Sequence, residues 1–138
     1  MEISIENKKS YIYIKISGQT SLDTSEWKKV ESARVGVVDI IKKAGIYKLL
    51  FDCRELSGKI STMDRFLLAM VFVKENIKFI TTKTPVLKIA FVVNKSMIDT
   101  ERIGAKVARN RGLRGMLTDN ILEAFKWLEL NTSLENEI

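Results

Sequence analysis

The chain has 138 residues, of which 46% are hydrophobic and 29% charged, and these proportions exclude a disordered chain. It contains no histidine and only one cysteine, Cys53. This excludes catalytic and metal sites built on histidine, as well as disulfide frameworks, and no motif calls for a cofactor.

The formal net charge of +6 permits attraction to an anionic partner but does not select one. The N-terminal residues lack the apolar core of a signal peptide. The longest apolar run, Phe66 to Val73, is far shorter than the roughly 20 residues of a membrane span. Since a single cysteine also suits a reducing compartment, we expect a cytoplasmic protein with no transmembrane segment.

Hydrophobic periodicity and turn residues predict alternating strands and helices. In chain order, the first predicted elements are strands at 3–5 and 11–16, a helix that begins at 23–25 and ends at 44, and a strand at 47–52. They are followed by a helix from 61 or 62 to about 79, a strand at 87–93 and a helix at about 99–110. The last two are a short strand at 116–117 and a helix from 118 or 119 to about 129. Gly45 is expected to end the first helix, and residues 53–60 to form a loop. Residues 1–130 are expected to form a single domain, followed by a flexible tail at 131–138.

This order predicts an α/β fold with a mostly parallel sheet of about five strands and four helices. Parallel neighbours need crossover connections, and the helices between the later strands supply them. The N-terminal β-hairpin places the first strand antiparallel at an edge, and right-handed crossovers are expected for the remaining strands.

Four segments resemble the SpoIIAA-like proteins, which are relatives of the STAS domains. They are the hairpin ending at Gly18, residues 48–58 (KLLFDCRELSG), residues 88–92 (KIAFV), and residues 116–119 (MLTD) with 123–128 (EAFKWL). The resemblance implies a single-domain stack of right-handed βα units with the helices mainly on one side of the sheet. It also implies a regulatory or protein-interaction role, and a broad similarity in fold to the CRAL-TRIO lipid carriers.

The segment after the predicted strand at 47–52 is a candidate ligand or switch loop. It follows the carboxyl end of a parallel strand, where open α/β sheets place ligands. The candidate residues are Asp52, Arg54, Glu55, Ser57 and Ser61. In the STAS antagonists a phosphorylatable serine lies where such a loop enters the next helix, and Ser57 or Ser61 stands at the corresponding place, although the Asp-Ser-Ser-Gly sequence is absent. Alternatively, Ser61 caps the helix and Arg54 pairs with a nearby acid.

Cys53 lies beside Arg54, and a neighbouring cation can lower the pKa of a thiol. A catalytic thiol also needs a general base, and the chain has no histidine to act as one. We therefore expect Cys53 to be a small buried side chain.

The second predicted helix is apolar on more than one face. One apolar stripe is enough to cover a sheet, but further apolar residues lie off that stripe: Leu67, Leu68, Val71 and Phe72. These four form a candidate interface. They fit self-association as a homodimer, burial by neighbouring helices, or contact with a lipid-like ligand.

Five basic residues without an intervening acid form a candidate anion patch: Arg102, Lys106, Arg109, Arg111 and Arg114. An anionic lipid or an acidic protein fits such a patch. Nucleic acid is not favoured, because no aromatic residues interleave with the patch. The same residues also fit a solvated face whose cations lie near a helix C-terminus.

The sequence favours a non-catalytic regulatory or protein-interaction domain that self-associates or binds a protein partner. The alternative is a carrier or sensor of an apolar or anionic lipid-like ligand. An enzyme is the third class, and Asp52 with Glu55 is its only close pair of carboxylates in the predicted loop.

Overall fold

The computed structural model describes residues 1–19, 24–58, 87–98 and 114–133. The elements are β1 (Glu2–Asn7), β2 (Ile12–Gln19), α1 (Thr24–Ala44), β3 (Lys48–Ser57), β4 (Lys88–Val93), a 3₁₀ turn (Lys95–Met97), β5 (Arg114–Thr118) and α2 (Ile121–Trp127). The predicted helices at about 61–79 and 99–110 lie outside the described residues. So do these candidate residues: Ser61, Leu67, Leu68, Val71, Phe72, Arg102, Lys106, Arg109 and Arg111.

The five strands form one mixed sheet in the order β1-β2-β3-β4-β5. β1 is antiparallel to β2, whereas β2, β3, β4 and β5 are successively parallel. The α/β class and the N-terminal hairpin at the edge of the sheet are therefore confirmed.

The two described helices cover opposite faces of the sheet. α1 packs Val37 and Ile41 onto one face, against residues such as Ile12 and Leu49. α2 packs Phe125 and two neighbours onto the other face, against Tyr13 and Leu50. The resemblance implies helices mainly on one side, and these two helices do not follow it. The physical reason is that the central strands are apolar on both faces, and each face must be covered.

Helix α1 ends where the sequence predicts. Gly45 has a φ of +67°, a left-handed conformation that favours glycine, and its N–H donates to the carbonyl of Ile41 at 2.9 Å. The start of α2 differs from the prediction by one or two residues. Asn120, rather than Thr118 or Asp119, is the N-cap, and its side-chain oxygen accepts from the N–H groups of Leu122 and Glu123.

Strand β3 extends through Ser57, so the predicted loop at 53–60 is wrong over its first five residues. Lys15 is opposite Asp52, but Ser17 is opposite Glu55, which means that β3 has one extra residue at this point. This β-bulge reverses the alternation of β3, so that Leu56 is buried on the α1 face together with Cys53. Beyond the bulge, β3 continues through its pairing with Gly18 and Gln19 of β2.

Candidate functional site

Two side chains, those of Tyr13 and Arg54, converge on the buried carboxylate of Asp52 on the α2 face of the sheet. The hydroxyl of Tyr13 donates to Oδ2 at 2.6 Å. Arg54 donates from Nε to Oδ1 at 2.9 Å and from Nη2 to Oδ2 at 2.8 Å. The backbone N–H of Arg54 adds a fourth bond, to Oδ1 at 3.2 Å. Tyr13, Asp52 and Arg54 are called the Asp52 cluster below.

The parallel register of β2 and β3 brings these residues together. Tyr13 is opposite Leu50, and Asp52 lies two residues beyond Leu50 on the same face. The phenol therefore points along the strand toward the carboxylate. Arg54 follows the bulge, and its side chain points back toward Asp52. The guanidinium group can therefore contact the carboxylate at two points.

The electrostatics hold Asp52 as an anion. Burial would raise the pKa of Asp52, but the hydrogen bonds from Arg54 and Tyr13 outweigh it, and its pKa lies below the usual range. Burial and the hydrogen bond to Asp52 raise the pKa of Tyr13, so the phenol keeps its proton. The hydrogen bond to Asp52 raises the pKa of Arg54.

The Asp52 cluster is connected to the end of β4 by Asn94. The side-chain amide of Asn94 donates to the carbonyl of Arg54 at 2.7 Å and, at 3.5 Å, to the carbonyl of Leu56. The pairing of β3 with β4 ends at Cys53 and Val93. Asn94 thus bonds β3 where the ladder has stopped.

The remaining polar candidates of β3 have partners close by. Glu55 forms an exposed ion pair with Lys15 at 3.0 Å, and Ser57 Oγ donates to the carbonyl of Gly18 at 3.3 Å. Because Ser57 lies within a strand, it does not occupy the position between loop and helix that the resemblance implies for a phosphorylatable serine. The assignment of Arg54, Glu55 and Ser57 to a loop is wrong, because the bulged strand includes them, whereas Asp52 lies in a strand as predicted.

Cys53 faces the opposite side of the sheet, in the core beneath α1. Burial and the nearby charge of Asp52 raise the pKa of Cys53 to about 12. The thiol is therefore protonated at neutral pH, unlike a reactive cysteine.

Within the Asp52 cluster, Arg54 neutralises the charge of Asp52, and the hydrogen bonds fix the orientation of the carboxylate. This arrangement is poorly suited to proton transfer. An ionised carboxylate has about four acceptor positions, and four donors from the protein surround Asp52. A general base needs a free position and a pKa near the working pH, and Asp52 has neither. The pair of Asp52 and Glu55 also does not converge: Asp52 contacts Arg54, whereas Glu55 contacts Lys15.

Sequence reasoning missed Tyr13, Lys15 and Asn94. The signal for the first two is the period of two along β2, which places Tyr13 and Lys15 on one face and next to the α2 face of β3. Of the predicted anion patch, the structure describes only Arg114, which is exposed at the start of β5.

Within the described residues, no three side chains of the metal-binding types come together to hold a metal ion. The same part of the chain contains no helix that is long and apolar enough to cross a membrane. No model of a known protein family and no curated protein matches this chain.

Proposed function

We propose that this protein is a non-catalytic regulatory or protein-interaction domain that self-associates. The observation that carries its non-catalytic part is the Asp52 cluster. Asp52 is the one buried carboxylate in the described ranges, and donors from its own fold occupy its acceptor positions. The ion pair with Arg54 spans the bulge within β3, and the hydrogen bond from Tyr13 joins β3 to β2.

The cysteine supports the same conclusion from the other face of the sheet. A nucleophilic thiol needs a low pKa and access to substrate, and Cys53 is buried with a raised pKa. The sequence contains no histidine that would activate it. The chemical groups of the central strands therefore serve the fold.

We propose that self-association uses the four apolar residues of the predicted second helix: Leu67, Leu68, Val71 and Phe72. They lie off the stripe that would cover the sheet, so a further apolar surface is needed to bury them. A second copy of the chain supplies such a surface. Their positions lie outside the described residues, and their spacing along the sequence supports the proposal.

The resemblance to the SpoIIAA-like and STAS proteins agrees with this role, and we propose the four-helix arrangement and the cytoplasmic location on the same basis. The mixed five-stranded sheet with an N-terminal hairpin is compatible with it. The alternative, a carrier of an apolar or anionic lipid-like ligand, uses the same four residues as the wall of a ligand site. One experiment separates the two.

The experiment is native mass spectrometry of the purified chain together with sedimentation velocity. We expect a dimer without additional mass. Val71→Glu is expected to convert it to a folded monomer, as judged by circular dichroism. The matched control is Val35→Glu, because the side chain of Val35 is 58% exposed on α1 and its replacement should change neither fold nor assembly.

Other outcomes decide against the proposal. A monomer that carries a lipid-sized mass would favour the carrier. A monomer without additional mass would overturn self-association. Unfolding of the Val71→Glu variant would show that neighbouring helices bury this residue within one chain.

A further inference from the structure

Three basic residues are neighbours at the amino-terminal ends of β3, β4 and β5, whereas the Asp52 cluster lies toward the carboxyl end of β3. Lys48 begins β3, Lys88 begins β4 and Arg114 begins β5, and the register pairs Lys48 with Lys88 and Lys88 with Arg114. Neighbouring strands are about 4.8 Å apart, so the three side chains start within about 10 Å of one another. They are called the cationic row below.

The three residues share one face of the sheet. Each stands two positions before a residue that faces α2, namely Leu50, Ala90 and Met116, and side chains two apart in a strand point the same way. The sheet therefore presents three like charges together. None of them belongs to the Asp52 cluster.

Helix α2 ends beside the cationic row and reduces the repulsion within it. Lys48 Nζ donates to the carbonyl of Glu129 at 3.5 Å, and Lys88 Nζ lies 3.8 Å from Oε1 of the same residue. The negative end of a helix favours nearby cations. Glu129 has a φ of +59°, which a non-glycine residue seldom adopts. In this conformation both its carbonyl and its carboxylate contact the row.

The charges are only partly compensated. Glu129 is the one carboxylate that the structure pairs with the row among the residues it describes, and its side chain is 78% exposed. Within the described part of the chain, three positive charges therefore face one negative charge that water screens strongly. Arg114 is exposed at the end of the row.

We propose that the cationic row docks an acidic segment of a partner protein. This inference rests on the proposed interaction function and names the chemistry of one partner. The carboxylate of Glu129 beside Lys88 shows that a side-chain carboxylate fits this position, and further carboxylates would complete the charge balance at Lys48 and Arg114.

The environment of Trp127 argues for protein rather than nucleic acid. The ammonium group of Lys88 lies 4.6 Å from the centroid of the Trp127 ring, and the ring packs against the α2 face of the core. Single-stranded nucleic acids are bound through exposed aromatic rings on which bases stack. The Lys88 ammonium group covers a face of this ring, so a base cannot stack there. The same cation–π contact fixes the position of the ammonium group, which an anionic partner can then bind.

The test is fluorescence anisotropy with a labelled peptide of alternating glutamate and serine, compared with a labelled oligothymidylate of equal charge. We expect the peptide to bind more tightly than the oligonucleotide. Lys88→Gln combined with Arg114→Gln should weaken peptide binding at least tenfold. The matched control, Lys28→Gln combined with Lys95→Gln, removes the same charge from two exposed positions and should change binding less than threefold.

Equal losses in the two double variants would mean that net charge alone attracts the peptide, and this would overturn the proposal. Absence of peptide binding, or tighter binding of the oligonucleotide, would also overturn it. Sedimentation velocity on the same samples separates the two proposals. A dimer that does not bind the peptide refutes only the docking surface, whereas a monomer that binds it refutes only self-association.

Discussion

Replacing Asp52 by asparagine tests the structural role of the Asp52 cluster. Asp52→Asn keeps the size of the side chain but removes its charge and exchanges one acceptor oxygen for a donor. That donor then faces Tyr13 or Arg54, which are donors themselves. Hydrogen bonds to charged groups contribute about 1.5–3 kcal/mol each, and removing one partner of a buried ion pair costs about 3–5 kcal/mol.

The side chain of Arg54 is 42% exposed, so water recovers part of its charge when the carboxylate is lost. We therefore expect Asp52→Asn to lower the free energy of unfolding by about 2–3 kcal/mol. Urea unfolding followed by circular dichroism measures the change, as a shift of the midpoint at constant slope. The matched control is Asp39→Asn, whose ion pair with Lys43 is exposed and is expected to contribute less than about 1 kcal/mol.

The effect should depend on pH with a defined sign. The pKa of Asp52 is lowered in the folded state, so its stabilisation is complete above the unfolded-state pKa of about 3.9 and is lost as pH falls through the folded-state pKa. The difference between wild type and Asp52→Asn should be constant from about pH 7.5 to 5.5 and narrow below about pH 4. A variant as stable as the wild type, or a difference that does not narrow in acid, would refute this account.

Two further predictions concern Cys53 and the glycines. Iodoacetamide at pH 8 should label Cys53 only as fast as the protein unfolds, because its pKa is raised to about 12 in the core; rapid labelling of the native protein would contradict this. Gly45→Ala should cost about 1 kcal/mol from its positive φ alone, since nothing lies within 4 Å of the added carbon. Gly18→Ala should cost more when measured by urea unfolding, because its added carbon would lie 3.1 Å from Cα of Met1, and an equal cost for both variants would contradict the close approach.

The elements that local pattern determines were predictable from the sequence. Alternation along residues 11–16 predicts β2, and both sets of its side chains are buried, Ile12 and Ile14 under α1 and Tyr13 toward α2. Gly45 ends α1 because a left-handed residue at that place closes a helix. These signals depend on neighbours along the chain.

The bulged half of β3 was not predictable in this way. Arg54, Glu55 and Ser57 are polar and precede Gly58, which is the composition of a loop. They form a strand because Gly18 and Gln19 pair with Leu56 and Ser57, contacts between residues far apart in sequence. Tertiary pairing here overrides local preference.

In the candidate site, too, some contacts follow from neighbours in sequence and others from pairing between distant strands. The sequence predicts that Arg54 pairs with a nearby acid, but Tyr13 is 39 residues away from Asp52. Only the register between β2 and β3 puts the phenol beside the carboxylate, and a shift by one residue would turn it to the other face. For this reason the shortest hydrogen bond of the site, from Tyr13 to Asp52, depends on the sheet and not on a local motif.

The amide of Asn94 has a consequence for how this protein meets other chains. Among the described residues, β3 beyond Cys53 keeps its ladder to β2 but not to β4, so its carbonyl groups on that side resemble those of an edge strand. Such an edge is a template on which a foreign strand can add itself. The side chain of Asn94 donates to the carbonyls of Arg54 and Leu56 and so supplies hydrogen bonds that a neighbouring strand would otherwise supply. Asn94 thus satisfies two carbonyl groups of β3 that an added strand would need as acceptors, which disfavours strand addition at this place.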